Sequence, residues 1–137
     1  MPLPLSPLAR KTAVILGGTG GIGSASARLL AEAGAAVAVV GSRDPAKARG
    51  FAASLEGVGH RGYACRIEDT ADIVALAQAV AVDMGGADIL VNSAGFTRFI
   101  PHADLEALDD ETFDRILLVN TRAAFSAIRT FAGAAAR

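Results

Sequence analysis

The sequence predicts an α/β fold with a doubly wound parallel sheet in the strand order 3-2-1-4. Short apolar segments alternate four times with longer segments whose apolar residues recur at helical spacing. The second apolar segment is apolar at every position, which is typical of a strand covered by helices on both faces. A turn with five glycines in seven positions joins the first apolar segment to the first helical one.

The four expected strands cover about 12–16, 36–40, 63–67 and 87–91. Each is rich in β-branched or other apolar residues and ends at glycine, proline or polar turn residues. Because the connections are long enough for a helix each time, the strands are expected to run parallel.

Four helices are expected between and after these strands. The first runs from about Gly21 to Ala33, and the second begins at Asp44-Pro45, an N-cap followed by a proline at the first helical position. Asp69 or Thr70 caps the third. The fourth opens at Asp109 and is expected to run uninterrupted to about the end of the chain.

Composition predicts one globular domain. The 137 residues are 52% hydrophobic and 20% charged, so we expect a loose lead-in over residues 1–10 and one domain over residues 11–137. A net charge of −1 argues against nucleic acid or an anionic membrane as partner. The lone Cys65 and the absence of a signal-like or membrane-spanning segment favour the cytoplasm. His60 and His102 lie far apart, so no metal site is expected.

The glycine-rich turn predicts a phosphate-binding loop. It fits G-x-G-x-x-G as well as G-x-x-x-G-x-G, and it enters a helix whose first N–H groups attract anions. The alternative is that the glycines only make a tight turn. The candidate cofactor-binding residues of this loop are Gly17, Thr19, Gly20, Gly21, Ile22 and Gly23.

The end of the second strand favours NADP over NAD. A dinucleotide fold that prefers NAD carries an acidic residue about 20 positions after the loop, whereas a nearby arginine accommodates the 2′-phosphate of NADP. In this chain, Ser42 and Arg43 occupy the positions just after the second strand. Arginine makes charge-assisted contacts with phosphate. The alternative for Arg43 is a solvated loop charge.

At this point the chain resembles the short-chain dehydrogenase/reductase family. Residues 17–23 are similar to its T-G-x-x-x-G-x-G loop from the second position onward, residues 88–95 to its D-x-L-V-N-N-A-G segment, and residues 118–121 to its V-N-x stretch. The resemblance implies a Rossmann-type fold, a nicotinamide cofactor and hydride transfer between an alcohol and a carbonyl. It adds further candidate cofactor-binding residues: Ile67, Asn92, Ala94 and Gly95.

Three residues depart from the family pattern. Leu16 stands in place of threonine, which removes a side-chain hydrogen bond expected to brace the loop. Ser93 replaces an asparagine in a segment that works largely through its backbone. Arg66 replaces an aspartate that contacts the adenine amino group in the family, so that contact would fall to the backbone at Ile67.

Asn120 is the candidate catalytic residue. It falls within the apolar stripe of the last helix, with Phe113, Leu117 and Ile128 among the residues expected to be buried. A buried amide needs hydrogen-bond partners. The resemblance implies the family's catalytic asparagine, which holds a water in a proton relay; the alternative is a satisfied core asparagine.

The family's tyrosine and lysine are missing from these 137 residues. The one tyrosine, Tyr63, is followed four positions later by Ile67, and Lys11 and Lys47 are the two lysines. We therefore expect an N-terminal part that binds cofactor, is inactive alone, lacks the later strands of the sheet and self-associates through the exposed fourth strand. The alternatives are a non-enzymatic half-domain completed by a partner chain, and an extended relative acting on nucleotide-linked sugars.

Overall fold

Four parallel strands form one sheet in the computed structural model, which describes residues 6–135. The strands are β1 (Thr12–Leu16), β2 (Ala36–Gly41), β3 (Arg61–Ala64) and β4 (Ile89–Asn92). Their order is β3-β2-β1-β4, which confirms the predicted 3-2-1-4. The prediction for β3 was wrong by two residues at its start and three at its end, because the chain turns away from the sheet once the Cys65 N–H has bonded to the Gly41 carbonyl.

Within residues 6–135, five helices connect and follow the strands. They are α1 (Gly21–Glu32), α2 (Pro45–Ser54), α3 (Thr70–Met84), α4 (Asp110–Leu117) and α5 (Ala123–Ala135). A 3₁₀ turn at Leu105–Ala107 precedes α4, and a π-helical turn at Leu118–Arg122 separates α4 from α5.

The sheet separates two apolar layers. Alternate residues of β1 and β2 face opposite sides, as the pleat requires. Val14 and Leu16 pack with α3 and α5, whereas Ile15, Val37 and Val39 pack with α1 and α2. This two-sided burial explains why β1 and β2 are apolar at nearly every position.

Aspartates cap three of the helices. The carboxylates of Asp44, Asp69 and Asp109 each accept a hydrogen bond from a backbone N–H in the first turn of α2, α3 and α4. Asp69, and not Thr70, is therefore the cap of α3. At its other end the helix stops at Gly85, whose φ of 80° lies in the left-handed region that glycine adopts without strain.

The last helix differs most from expectation. The π-helical turn at Leu118–Arg122 inserts extra backbone and rotates the helix face, so the simple stripe does not continue through it. Phe113, Leu117 and Ile128 are 51%, 48% and 58% exposed, which makes the prediction of their burial wrong. The buried residues of this region are Thr112, Val119, Ala123, Ser126, Ala127 and Phe131.

The start of the described chain is tied to the domain. Residues 1–5 of the predicted lead-in lie outside the described residues. Residues 7–10 form a turn, and the Leu8 N–H donates to the Ala33 carbonyl at 3.0 Å. No helix within residues 6–135 is long and apolar enough to cross a membrane.

Candidate cofactor site

A cleft of about 980 Å³ opens where the carboxyl ends of the strands meet. In an open α/β sheet this edge is where ligands bind. Four segments border the cleft: the glycine loop after β1, the turn after β2, the β3–α3 loop and the segment after β4. The predicted site residues that line it are Gly17, Thr19, Gly20, Ser42, Arg43, Ile67, Ala94 and Gly95.

The glycine loop is packed so tightly that three of its glycines leave no room for a Cβ, Gly18 among them with the Ile15 carbonyl oxygen at 2.9 Å. Gly17 has φ of 73°, and a Cβ there would lie 2.8 Å from the Ala94 nitrogen. A Cβ on Gly23 would overlap the Gly17 carbonyl oxygen. Gly21 is different, because nothing lies within 4 Å of the position its Cβ would take. The loop therefore combines a fixed backbone with one open position.

Helix α1 begins in this loop without a side-chain cap. Gly20 occupies the N-cap position, and within the described structure no side chain accepts a hydrogen bond from an N–H of the first turn. The aspartate caps of α2, α3 and α4 show that this chain places carboxylates at other helix starts. Uncapped N–H groups at a helix start attract an anion, so the start of α1 can hold a diphosphate.

Ser93 braces the loop from β4. Its hydroxyl donates to the Leu16 carbonyl at 2.8 Å, and its backbone N–H donates to the same oxygen at 3.0 Å. The Leu16 side chain lies in the core at 1% exposure. The loop that was expected to lose a brace at Leu16 thus receives one from Ser93, a role that the sequence analysis missed.

Arg43 lies at the end of β2 on the border of the cleft, next to Ser42, and both are exposed. Within the described residues, no carboxylate lies within ion-pair distance of the Arg43 guanidinium. The neighbouring Asp44 points its carboxylate at the Ala46 N–H, where it caps α2. Arg43 is thus available to an anion in the cleft.

The far end of the cleft is formed by the β3–α3 loop. Arg66 donates from Nε to Asp72 Oδ2 at 2.8 Å and from Nη2 to Asp72 Oδ1 at 3.3 Å, and Nη2 lies 3.6 Å from Asp69. These contacts hold the pKa of the Asp72 carboxyl below its usual range, with the Arg66 hydrogen bond as the largest cause. Ile67, which follows, is half-buried and borders the cleft.

Two arginines from α4 and the π-helical turn reach across to this loop. Arg122 donates to the Glu68 carbonyl at 2.7 Å, and Arg115 lies 3.8 Å from the Glu68 carboxylate. The Arg115 guanidinium also sits 4.1 Å from the centre of the Phe96 ring. All four residues border the cleft, and none was predicted, because they lie on segments far apart in the sequence.

Asn120 lies in the π-helical turn and forms hydrogen bonds with the backbone of the segment after β4. Its Oδ1 accepts from the Phe96 N–H at 2.8 Å, and its Nδ2 donates to the Phe96 carbonyl at 2.8 Å. The residue is exposed, so the expectation that it is a buried amide was wrong, and its side chain fixes backbone at the cleft's edge. The extra residue of the π-helical turn, which no periodicity reveals, gives Asn120 this position.

The remaining predicted residues lie beside the cleft. Asn92 is the last residue of β4, opposite Leu16 in the parallel register, and it is exposed. Gly21, Ile22 and Gly23 form the first turn of α1, and Ile22 is 76% exposed.

Tyr63 is engaged outside the cleft. Its hydroxyl donates to Asp83 at 2.9 Å, and burial together with that carboxylate raises the pKa of Tyr63 to about 12. A phenol with so high a pKa is poorly suited to proton transfer near neutral pH. Within residues 6–135, no three His, Cys, Asp or Glu side chains cluster as a metal site would require.

Comparison with known proteins gives a consistent result. A family model described as short chain dehydrogenase matches residues 11–136. D-threitol dehydrogenase of Mycolicibacterium smegmatis is 40% identical over 117 residues, which are 84% of this chain and 44% of that protein. A short-chain dehydrogenase/reductase homolog of Bacillus subtilis is 37% identical over 103 residues, 74% of this chain and 94% of that protein.

Solved structures agree with the sequence matches. A metagenomic short-chain oxidoreductase in complex with NADP superimposes with a TM-score of 0.82 at 32% identity, covering 93% of this chain and 57% of that chain. The chain spans about half the length of most of the relatives it matches. The four-stranded parallel sheet of the described residues thus belongs to a Rossmann-type fold.

Proposed function

This chain belongs to the short-chain dehydrogenase family, and from that premise we propose that it binds NADP(H) along the cleft as the cofactor-holding half of an alcohol/carbonyl oxidoreductase. The single observation that carries the proposal is the start of α1. A helix start without a side-chain cap follows a glycine loop, and the Cβ position of Gly21 is open. That geometry leaves backbone N–H groups and space for a diphosphate.

The rest of the cleft fits the adenosine half of the cofactor. From the glycine loop, a dinucleotide would extend along the carboxyl ends of the strands toward β2. Arg43 would hold the 2′-phosphate there, because its guanidinium is exposed and position 42 carries a serine in place of an acidic residue. Ala94 and Gly95 would border the cofactor on the β4 side, and Ile67 would lie beyond Arg43.

The nicotinamide ring of bound NADP would supply the hydride acceptor or donor. Asn120 would keep the chain after β4 in place through its two hydrogen bonds to Phe96. General acid–base catalysis contributes typically about 10²–10⁴-fold, and it needs a group within reach of the substrate oxygen. Tyr63 is bonded to Asp83 outside the cleft, so we expect these 137 residues alone to bind cofactor without turnover.

The second candidate function is a dinucleotide-binding module without its own catalysis. It is favoured by the Bacillus subtilis relative, of which this chain covers 94%. Such a module would bind cofactor at the same site and would cover the outer edge of β4 with a partner or with another copy. This candidate requires a stable assembly, which size-exclusion chromatography with and without NADPH would detect; a monomer under both conditions would contradict it.

The cofactor proposal is tested by titrating NADPH and NADH against the purified chain. We expect tighter binding of NADPH, loss of that preference in Arg43→Ala, and loss of both cofactors in Gly21→Val with unchanged helical content. Arg49→Ala, on the exposed surface of α2, is the matched control for Arg43. Equal affinities for the two cofactors would contradict the role of Arg43, and normal binding by Gly21→Val would show that the loop is only a turn.

A further inference from the structure

The adenine base would lie against the β3–α3 loop. This step rests on the proposed function, in which the diphosphate sits at α1 and the 2′-phosphate at Arg43. Beyond Arg43 the cleft continues along its border residues Arg66, Ile67, Glu68, Asp69 and Thr70. A base attached to a ribose at the end of β2 therefore has this loop as its nearest wall.

Arg66 is held in one orientation at that wall. Two of its nitrogens, Nε and Nη2, donate to the two oxygens of Asp72 in a fork, so one edge of the guanidinium faces α3. Such hydrogen bonds lie in the plane of the guanidinium and leave its two flat faces free. The side chain is 66% exposed although it is fixed. Arg66 thus offers the cleft a flat, preorganised surface.

The charges around Arg66 argue against a phosphate as its ligand. Asp72 lies at 2.8 Å and Asp69 at 3.6 Å, so two carboxylates already balance its one positive charge. A phosphate placed here would meet those carboxylates as well as the guanidinium. An uncharged aromatic ring meets no such repulsion, and arginine stacks readily on aromatic faces.

We propose that the guanidinium plane of Arg66 is the platform on which the adenine base of the cofactor stacks. Arg43 and Arg66 would then divide the recognition of the adenosine half between them. Arg43 would bind the phosphate that distinguishes NADP from NAD. Arg66 would bind the base that the two cofactors share, so it would contribute affinity without contributing cofactor preference.

The test measures the affinities of NADPH and NADH for Arg66→Ala, Arg66→Lys and Arg43→Ala. We expect Arg66→Ala to weaken both cofactors by the same factor, about tenfold, which is the order of one base-stacking contact. Arg66→Lys keeps the positive charge but loses the planar guanidinium, and we expect its cofactor affinities to be as low as those of Arg66→Ala. Arg43→Ala should weaken NADPH alone. Asp72→Asn keeps an acceptor for Arg66 and should retain most of the affinity.

Four results would overturn the assignment. Arg66→Ala could bind both cofactors normally, or it could lose NADPH selectively, which would make Arg66 a phosphate ligand. Arg66→Lys could bind like the unchanged chain, which would make charge the relevant property. Asp72→Asn could lose as much affinity as Arg66→Ala, which would place the effect in the loop's structure. Failure of the unchanged chain to bind either cofactor would instead refute the proposed function itself.

Discussion

The two ends of the cleft are built by different means. At the glycine loop, backbone packs on backbone: Gly17 and Gly23 have no room for a Cβ, and the Ser93 hydroxyl bonds to the Leu16 carbonyl. At the β3–α3 loop, long side chains cross between separate elements, with Arg66 on Asp72 and Arg122 on the Glu68 carbonyl. The first end is densely packed, whereas the second is open and is held together by exposed ion pairs.

This difference implies two kinds of sensitivity. A backbone-built loop cannot accept added atoms, because the neighbouring atoms are themselves fixed by strand and helix hydrogen bonds. A wall built from exposed side chains can lose one contact and keep its shape, since exposed ion pairs contribute little to stability. Substitutions at the packed glycines Gly17 and Gly23 should therefore affect folding, whereas substitutions in the β3–α3 loop should affect ligand affinity.

The largest effect on stability is expected from Gly23→Ala. The added Cβ would overlap the Gly17 carbonyl oxygen and approach the Ser93 hydroxyl to 2.6 Å. We expect the free energy of unfolding to fall by about 3 kcal/mol or more, which urea unfolding followed by circular dichroism would measure.

Gly21→Ala is the matched control, because its Cβ meets nothing within 4 Å. We expect its unfolding free energy to stay within about 0.5 kcal/mol of the unchanged chain. Similar losses in the two variants would show that the loop is not divided into a packed and an open position.

A smaller loss is expected from Asn120→Ala, which removes both hydrogen bonds to the Phe96 backbone. Because the residue is exposed, water replaces part of what is lost, and we expect a cost of about 1–2 kcal/mol. Amide hydrogen exchange should become faster at Phe96 before it changes in β1. Asn120→Asp keeps the acceptor for the Phe96 N–H and should lose about half as much; an effect as large as that of alanine would contradict the two-bond description.

The sequence predicts the backbone-built part of the molecule well. Strand β1 and the cap at Asp44 follow from local patterns, because each depends on neighbours within a few residues. The glycine spacing of the loop is local as well, whereas its brace from Ser93 lies 77 positions away and was not predicted. The strand order follows from the rules for right-handed crossovers between parallel strands. By contrast, Arg115 and Arg122 reach Glu68 across about 50 positions of sequence, and no spacing rule signals such contacts. The π-helical turn at Leu118–Arg122 was also missed, because one inserted residue shifts the apolar periodicity without leaving a distinctive residue type.

Cys65 gives the smallest expected effect on stability, and it lies at the end of the cleft that the β3–α3 loop forms. It borders the cleft immediately after β3, and its N–H donates to the Gly41 carbonyl at 2.9 Å. The residue is only 4% exposed. Burial raises the pKa of the Cys65 thiol to about 12, and the carboxylates of Asp72, Asp69 and Glu68 add to the shift. At neutral pH the thiol is therefore uncharged in the folded chain.

The pH dependence follows from that shift. Below pH 9 the thiol is protonated in the folded and the unfolded chain, so its contribution to stability is fully present. That contribution is lost as pH rises from about 9 through 12, because the unfolded chain releases the thiol proton at lower pH than the folded chain does. We expect Cys65→Ala to flatten the alkaline fall in unfolding free energy between pH 9 and 10. Part of the fall above pH 10 should remain, because the pKa of Tyr63 is also raised to about 12. Identical pH profiles for the two chains would show that neither burial nor the carboxylates of the β3–α3 loop raise the pKa of Cys65.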